Sequence, residues 1–471
     1  MTNEEIYDEI NKDEGLKTPS EIGVIPRDPE MSWDLTELES KLRANPEFDI
    51  KRFEKVEVDD NSYSELTFEV SFGYQDEIYS AYMSVLPVDE IQLTSYGFVN
   101  MVDRESIDLA QNAPLYLSSS MYFNEDYTLD YLVQLKLLNT LVPDAAIGID
   151  SSSLRVFSPY WLKETAEASI PPSPNYLYVV HSVYDSEKGD KTEYWLHTHG
   201  LHRCGSVEFE MLVSNYPQEM HSLLTNTAHL ALDKSFKENE AFQAGYDGMG
   251  INLAWMRWEE ALQSFPPNIL GGIDDRMDKV NMADFDIEMD KNIEIDDDIN
   301  FFPNVHAEPS GILFASEDGE LTSPEIYGPS LKDNPVFFVS NAETRRMTAL
   351  ARHKFDRFTE LFNLHGPKKK SFFTKLISKK EEEWSFLTKI GLVVDGAEDI
   401  ESDKEHLWFE IQSIDENNKI TGKLLNQPYW IKGLNEGDVK TYPAHMVLRD
   451  WIIYSPDAQY TPDTIYAYFH Q

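Results

Sequence analysis

Between residues 177 and 213 three strand-like runs follow one another, at 177–184, 193–199 and 206–213, with only short turns between them. Consecutive strands with short loops favour an antiparallel meander, because a parallel neighbour needs a crossover of a dozen or more residues. The second turn lies inside the densest concentration of chemistry in the chain. The run 194–210 reads Tyr-Trp-Leu-His-Thr-His-Gly-Leu-His-Arg-Cys-Gly-Ser-Val-Glu-Phe-Glu, with three histidines and the only cysteine.

Side chains two apart in a strand project to one face. His197 and His199 therefore share a face of the middle strand, and Glu208 and Glu210 share a face of the next. Where those faces coincide, two imidazoles and two carboxylates converge across the hairpin. That donor set is adequate for Zn²⁺, Fe²⁺ or Mn²⁺. His202 and Cys204 in the turn are placed to complete or tune such a site. A glutamate outside the coordination could act as general base on a metal-bound water. The competing expectation is a buried strand whose histidines satisfy their nitrogens on nearby carbonyls or on those glutamates. The His-Glu-x-x-His signature is absent, and a single cysteine cannot build a thiolate cluster.

Around the meander the chain divides by composition. Residues 1–30 are polar and acidic, with Pro19, Pro26 and Pro29, and read as a flexible acidic arm. Residues 31–270 read as an α+β body. Alternating runs at 66–72 and 78–85 pair as a hairpin, and a leucine-rich helix at 130–141 stops at Pro143. A further helix follows from Pro217 to about residue 232. Residues 271–335 read as an acidic excursion and connector, with eleven acidic residues between 274 and 298 against Arg276, Lys279 and Lys291. Counted from Asp286, an EF-hand loop would need a sixth-position glycine and a twelfth-position glutamate, but Lys291 and Asp297 stand there. Residues 336–471 form a small α+β tail domain: a helix at 341–364, then short strands suggesting a partly open barrel. A basic insertion, 366–383, separates helix from strands. The fold class is thus α+β, an antiparallel-sheet body with flanking helices plus a small C-terminal helix-and-barrel-like β domain.

Charge narrows the partners. Forty Lys and Arg against eighty-four Asp and Glu give a formal net charge of −44. Such a chain repels phosphates, which argues against nucleic acid, and suits a basic protein partner. No run approaches the roughly 18 apolar residues of a bilayer span, so no stable membrane insertion is expected. The opening Met1-Thr2-Asn3-Glu4-Glu5 has neither a basic start nor an apolar core, so no signal peptide is expected. One cysteine fits a reducing compartment. These features predict a cytoplasmic protein of bacterial type.

Several blocks of the tail resemble a known family. They are the run 346–358 (Arg-Met-Thr-Ala-Leu-Ala-Arg-His-Lys-Phe-Asp-Arg-Phe), Glu405-His-Leu-Trp408, Gly422-Lys-Leu-Leu-Asn-Gln-Pro428, Gly437-Asp438 and Arg449-Asp-Trp451. Together, over about 340–471, they resemble a bacterial domain of unknown function, number twenty-three-fourteen, from which this chain departs by its basic insertion. The Trp-Leu-His-Thr-His-Gly-Leu run with its trailing Glu-x-Glu resembles the core of a second such family, number forty-twenty-six, over about 30–300. The resemblances imply a two-module cytoplasmic protein and bring no activity or cofactor.

The tail holds Trp384, Trp408, Trp430 and Trp451. Most must be core in so small a domain, and an exposed one or two would form an interaction patch, with Trp408, Trp430 and Trp451 as candidates. The functional expectation is a non-enzymatic binding or interaction protein, directed at a basic partner as an inhibitor or immunity-type protein would be. The alternative is a metal-dependent hydrolase built on His197, His199, Glu208 and Glu210.

Overall fold

A computed structural model of the chain describes residues 3–12, 15–57, 63–88, 93, 97–99, 102–186, 192–245, 250–273, 275–276, 309–333, 341–367, 384–399 and 403–470. The middle of the acidic excursion and the basic insertion from Lys368 to Glu383 lie outside these. The chain forms two compact units. The first comprises residues 1–159 and 174–338, the second 160–173 and 339–471. The fold is mixed α+β with three mostly antiparallel sheets.

The first sheet of unit 1 is built from β1 (Ser20–Pro26), β2 (Asp49–Val56), β3 (Leu66–Tyr74), β4 (Glu77–Pro87), β5 (Gly97–Val99), β6 (Leu115–Met121), β7 (Ala145–Asp150) and β8 (Arg155–Phe157). Their order is β2-β3-β4-β6-β1-β7-β8-β5, antiparallel except between β5 and β8. The expected hairpin is β3 and β4, in register from Leu66 opposite Val85 to Tyr74 opposite Glu77. The arm reading fails at β1. Residues 20–26 form an interior strand between β6 and β7, with Ile22, Val24 and Ile25 fully buried. Three apolar residues are too few to show a period against polar, proline-bearing flanks, yet hydrogen bonds on both edges suffice to hold them. Ahead of it α1 (Asn3–Ile10) is also docked, and Tyr7 donates to the Ser310 carbonyl at 2.8 Å.

Helices α2 (Leu35–Ala44), α3 (Arg104–Asn112) and α4 (Tyr127–Leu141) pack on this sheet or on each other. Asp34, Asp103 and Asp126 cap their first turns. Helix α4 buries residues on every side, including Asp130, whose carboxylate accepts from Tyr79 Oη at 2.8 Å. Burial pushes the Asp130 carboxyl up to about 6 from an ordinary 3.8. The folded chain therefore holds a proton that the unfolded chain releases. That contributes stability below the unfolded value, and the contribution is lost as pH rises through the folded one. Asp130→Asn should flatten the urea midpoint of unit 1 across this interval and raise it at about pH 8. A pH profile identical to that of the unsubstituted protein would contradict the assignment.

The second sheet carries the meander. Its strands are β9 (Val179–Asp185), β10 (Glu193–His199), β11 (Glu208–Val213), β12 (Phe242–Gln243), β13 (Asn252–Arg257), β14 (Ser310–Glu317) and β15 (Glu320–Thr322). The order is β12-β13-β14-β11-β10-β9, with β15 beside β14. Strands β9, β10 and β11 are antiparallel, as their short loops require. Residues 310–317, assigned from sequence to the connector, are a buried strand lying parallel to β11 and antiparallel to β13. Helix α5 (Pro159–Glu167) falls largely in unit 2, and α6 (Pro217–Ala231), opened by the expected proline, packs on β9, β10 and β11.

In unit 2 the expected single helix is two, α7 (Asn341–His353) and α8 (Phe355–His365), broken at Lys354, whose ammonium pairs with Glu164 at 2.9 Å. Strands β16 (Ser385–Val393), β17 (Lys404–Ile414), β18 (Lys419–Leu424), β19 (Val439–Pro443), β20 (Leu448–Tyr454) and β21 (Gln459–Tyr460) follow. They run in the open order β19-β18-β17-β16-β20-β21 and do not close into a barrel. Trp451 is fully buried among Phe358, Phe386 and their neighbours, and donates from Nε1 to the Ala351 carbonyl at 3.0 Å. Trp408 is half-buried, and Trp430 is 70% exposed. Trp451→Ala should destabilise unit 2 by about 3–5 kcal/mol, read by denaturant unfolding. A cost under about 1 kcal/mol would contradict its place in that core.

A three-histidine cluster on the second sheet

Strand β10 pairs with both neighbours, and the register sets what gathers. His197 lies opposite His181 on β9 and opposite Glu210 on β11. His181, His197 and His199 share one face, and one ligand nitrogen from each lies within 4.8 Å of the others. Their ring centroids stand 5.0–5.5 Å apart, the planes steeply inclined. His197 and His199 are buried and His181 is half-buried. Burial pushes His181 down to about 4, helped by His199 and then by Arg155. Its imidazole is therefore neutral at pH 7, the form that binds a metal. Four-coordinate zinc, with Zn–N of about 2.0–2.1 Å, sets ligand nitrogens roughly 3.3 Å apart, so the rings need only close inward.

The two glutamates are engaged elsewhere. Glu208 turns into the loop after β10, accepting from Thr198 Oγ1 at 2.6 Å, Gly200 N at 2.9 Å, and His202 N and Nδ1 at 3.0 and 2.8 Å. Burial raises its carboxyl, but the hydrogen bond and field of His202, then His199 and Thr198, outweigh that and hold it below the usual range. Glu210 accepts from Trp195 Nε1 at 2.6 Å and also from Ser310 and Arg276. Burial raises it too, and Arg276, Ser310 and Trp195 more than offset the rise. The carboxylates thus brace the hairpin: Glu210 lies on the same face as His197, but both carboxylates are committed to donors other than the imidazoles of His181, His197 and His199.

The turn is a 3-10 segment from Leu201 to Cys204 between left-handed Gly200 (φ 110) and Gly205 (φ 80). Gly200 is required twice over, since a Cβ there would stand 2.3 Å from the Leu177 carbonyl. Cys204 is buried, and burial pushes its thiol up to about 12, so it is a packed side chain without thiolate character. Beside it Arg203, fully buried, forks onto Asp150 of β7 at 3.0 and 2.9 Å and also donates to Ser20 Oγ.

Sequence reasoning selects His197 and His199 and misses His181, Arg203, Arg276 and Ser310. The signal for His181 was present: it sits on an expected strand, and pairing that strand with the 193–199 run places it opposite His197. For Arg276 and Ser310 there was none, because each arrives from far along the chain.

The fold and the cluster together define an α+β protein of two units, with a sheet in the first on which three imidazoles converge. Residues 20–172 match the model described as protein of unknown function (DUF4026) N-terminal, and residues 180–285 match that family's C-terminal model. These cover more than half of the chain, which belongs to the DUF4026 family. Residues 369–471 match the model described as uncharacterized protein conserved in bacteria (DUF2314). No curated protein and no solved structure matches the chain. Among the described residues no helix is long and apolar enough to cross a membrane.

Proposed function

We propose that the chain is a metal-binding protein that holds one divalent transition-metal ion on His181, His197 and His199. The observation that carries this reading is the convergence of three ligand nitrogens within 4.8 Å from two adjacent strands. An all-imidazole set suits zinc, copper, nickel or iron, whereas manganese prefers the oxygen ligands that Glu208 and Glu210 would have supplied. The neighbouring network supports the reading, because Glu208 and Glu210 fix the strands that carry the ligands. Cobalt(II) titration of metal-free protein tests it: intense visible bands of a four-coordinate nitrogen site should saturate at about one equivalent. A flat titration would contradict the proposal.

The ligand count favours a second reading, the metal-dependent hydrolase. Structural zinc sites are closed by four protein ligands, whereas catalytic sites have three and leave a position for water. A bound ion there would lower the pKa of that water. Zinc-dependent hydrolysis of an activated ester, abolished by His199→Ala, would support it, and equal rates with and without zinc would contradict it.

A further inference from the structure

The outer face of the sheet in unit 2 carries a cluster of cations that neither the fold nor the histidine site explains. Lys389 of β16 lies opposite Trp408 of β17, its Nζ 5.8 Å from the indole centroid, and Gly391 lies opposite His406. Arg449 enters from β20 at the point where the register against β16 shifts. A Cβ on Gly391 would stand 2.5 Å from Arg449 Nε and 3.3 Å from His406 Cδ2. The glycine therefore makes the floor on which the guanidinium and the imidazole lie together. Arg449 Nε is buried with no hydrogen-bond acceptor. Among the described residues no ion pair engages Arg449 or Lys389. Asp450, opposite Lys389, is the neighbouring carboxylate; burial pushes it up to about 6, and it accepts from the Trp451 amide.

The electrostatics agree with this geometry. Burial lowers His406, and Lys389, Arg449 and Lys404 lower it further. Three positive groups thus act on one imidazole in a chain whose net charge is −44. Such a cluster repels itself until an anion enters.

We infer that Arg449, Lys389 and His406 form a binding site for a phosphate group, either free phosphate or a phosphomonoester. The donors come from three strands and converge over a glycine, which suits a tetrahedral group with several acceptor oxygens. Two permanent charges, those of Arg449 and Lys389, match a dianion, whereas a carboxylate monoanion would leave one of them uncompensated. The half-buried face of Trp408 beside Lys389 offers an apolar wall for an organic substituent on the phosphate.

Calorimetric titration of the metal-free full chain tests the site, with inorganic phosphate, phenyl phosphate and a phosphoserine peptide as parallel probes. Removing metal keeps the histidine cluster from contributing. At least one probe should bind saturably, and Arg449→Gln and Lys389→Gln should each weaken it about tenfold or more. Lys440→Gln, an exposed change on β19, should leave it unaltered. The tightest probe identifies the source of the phosphate. In the NMR spectrum the His406 ring should shift on binding, a response that a merely structural Arg449 would not produce. No binding by any probe, binding that survives both substitutions in folded protein, or equal binding of acetate would overturn the assignment.

Discussion

Replacing Arg203 with methionine is expected to destabilise unit 1 by about 3–5 kcal/mol, the cost of leaving a buried charge without its partner. Arg203 and Asp150 are both fully inaccessible to solvent. The guanidinium also lies 5.1 Å from the Tyr131 ring and donates to the Leu177 carbonyl at 3.1 Å. After the substitution Asp150 would retain the Tyr131 hydroxyl at 3.0 Å and the Ser153 amide at 3.1 Å. Two neutral donors do not neutralise a carboxylate in so dry a setting. The pair ties the β10–β11 turn to the first sheet, so its loss should loosen both. Urea unfolding of the single variants and of Arg203→Met with Asp150→Asn checks this. The double variant should recover part of the loss, because the orphaned charge is gone. Additive costs, or a single-variant cost under about 1 kcal/mol, would contradict the account.

The second large effect concerns the histidines. His197→Ala should weaken metal binding by more than about a hundredfold, since even outer-shell substitutions at such sites cost 10- to 100-fold. Glu210→Gln should do the opposite of what the sequence pattern implies. It should leave an equivalent of metal in place while lowering stability, because the Glu210 carboxylate answers Arg276, Ser310 and Trp195. Competition titration against a chromogenic chelator, paired with thermal unfolding, separates the two outcomes. Metal loss in Glu210→Gln with stability unchanged would place the carboxylate among the ligands.

Much of the architecture was legible in the chain. The alternating run 66–72 and the strand-like run 193–199 became β3 and β10, and Pro217 opened α6 as expected. What stayed hidden was non-local. Strand β1 is short and bracketed by prolines, so only its two neighbours make it a strand. Strand β14 lies beyond the acidic stretch and joins the second sheet between β11 and β13. The site divides in the same way. Periodicity put His197 and His199 on one face correctly, but it could not say which donors Glu208 and Glu210 would find. Those donors come from Gly200 and His202 nearby and from Arg276 and Ser310 far away. Net charge likewise gives a partner its sign and no address on the surface.

Metal content of the untagged, full-length protein is the most direct test of the three-imidazole reading. Elemental analysis after purification without added metal should find about one equivalent of zinc or another imidazole-preferring ion per chain. His181→Ala, folded by circular dichroism, should lose it, and Glu208→Gln should keep it. A protein that carries no such ion and takes none up, or a His181→Ala variant that keeps a full equivalent, would contradict it.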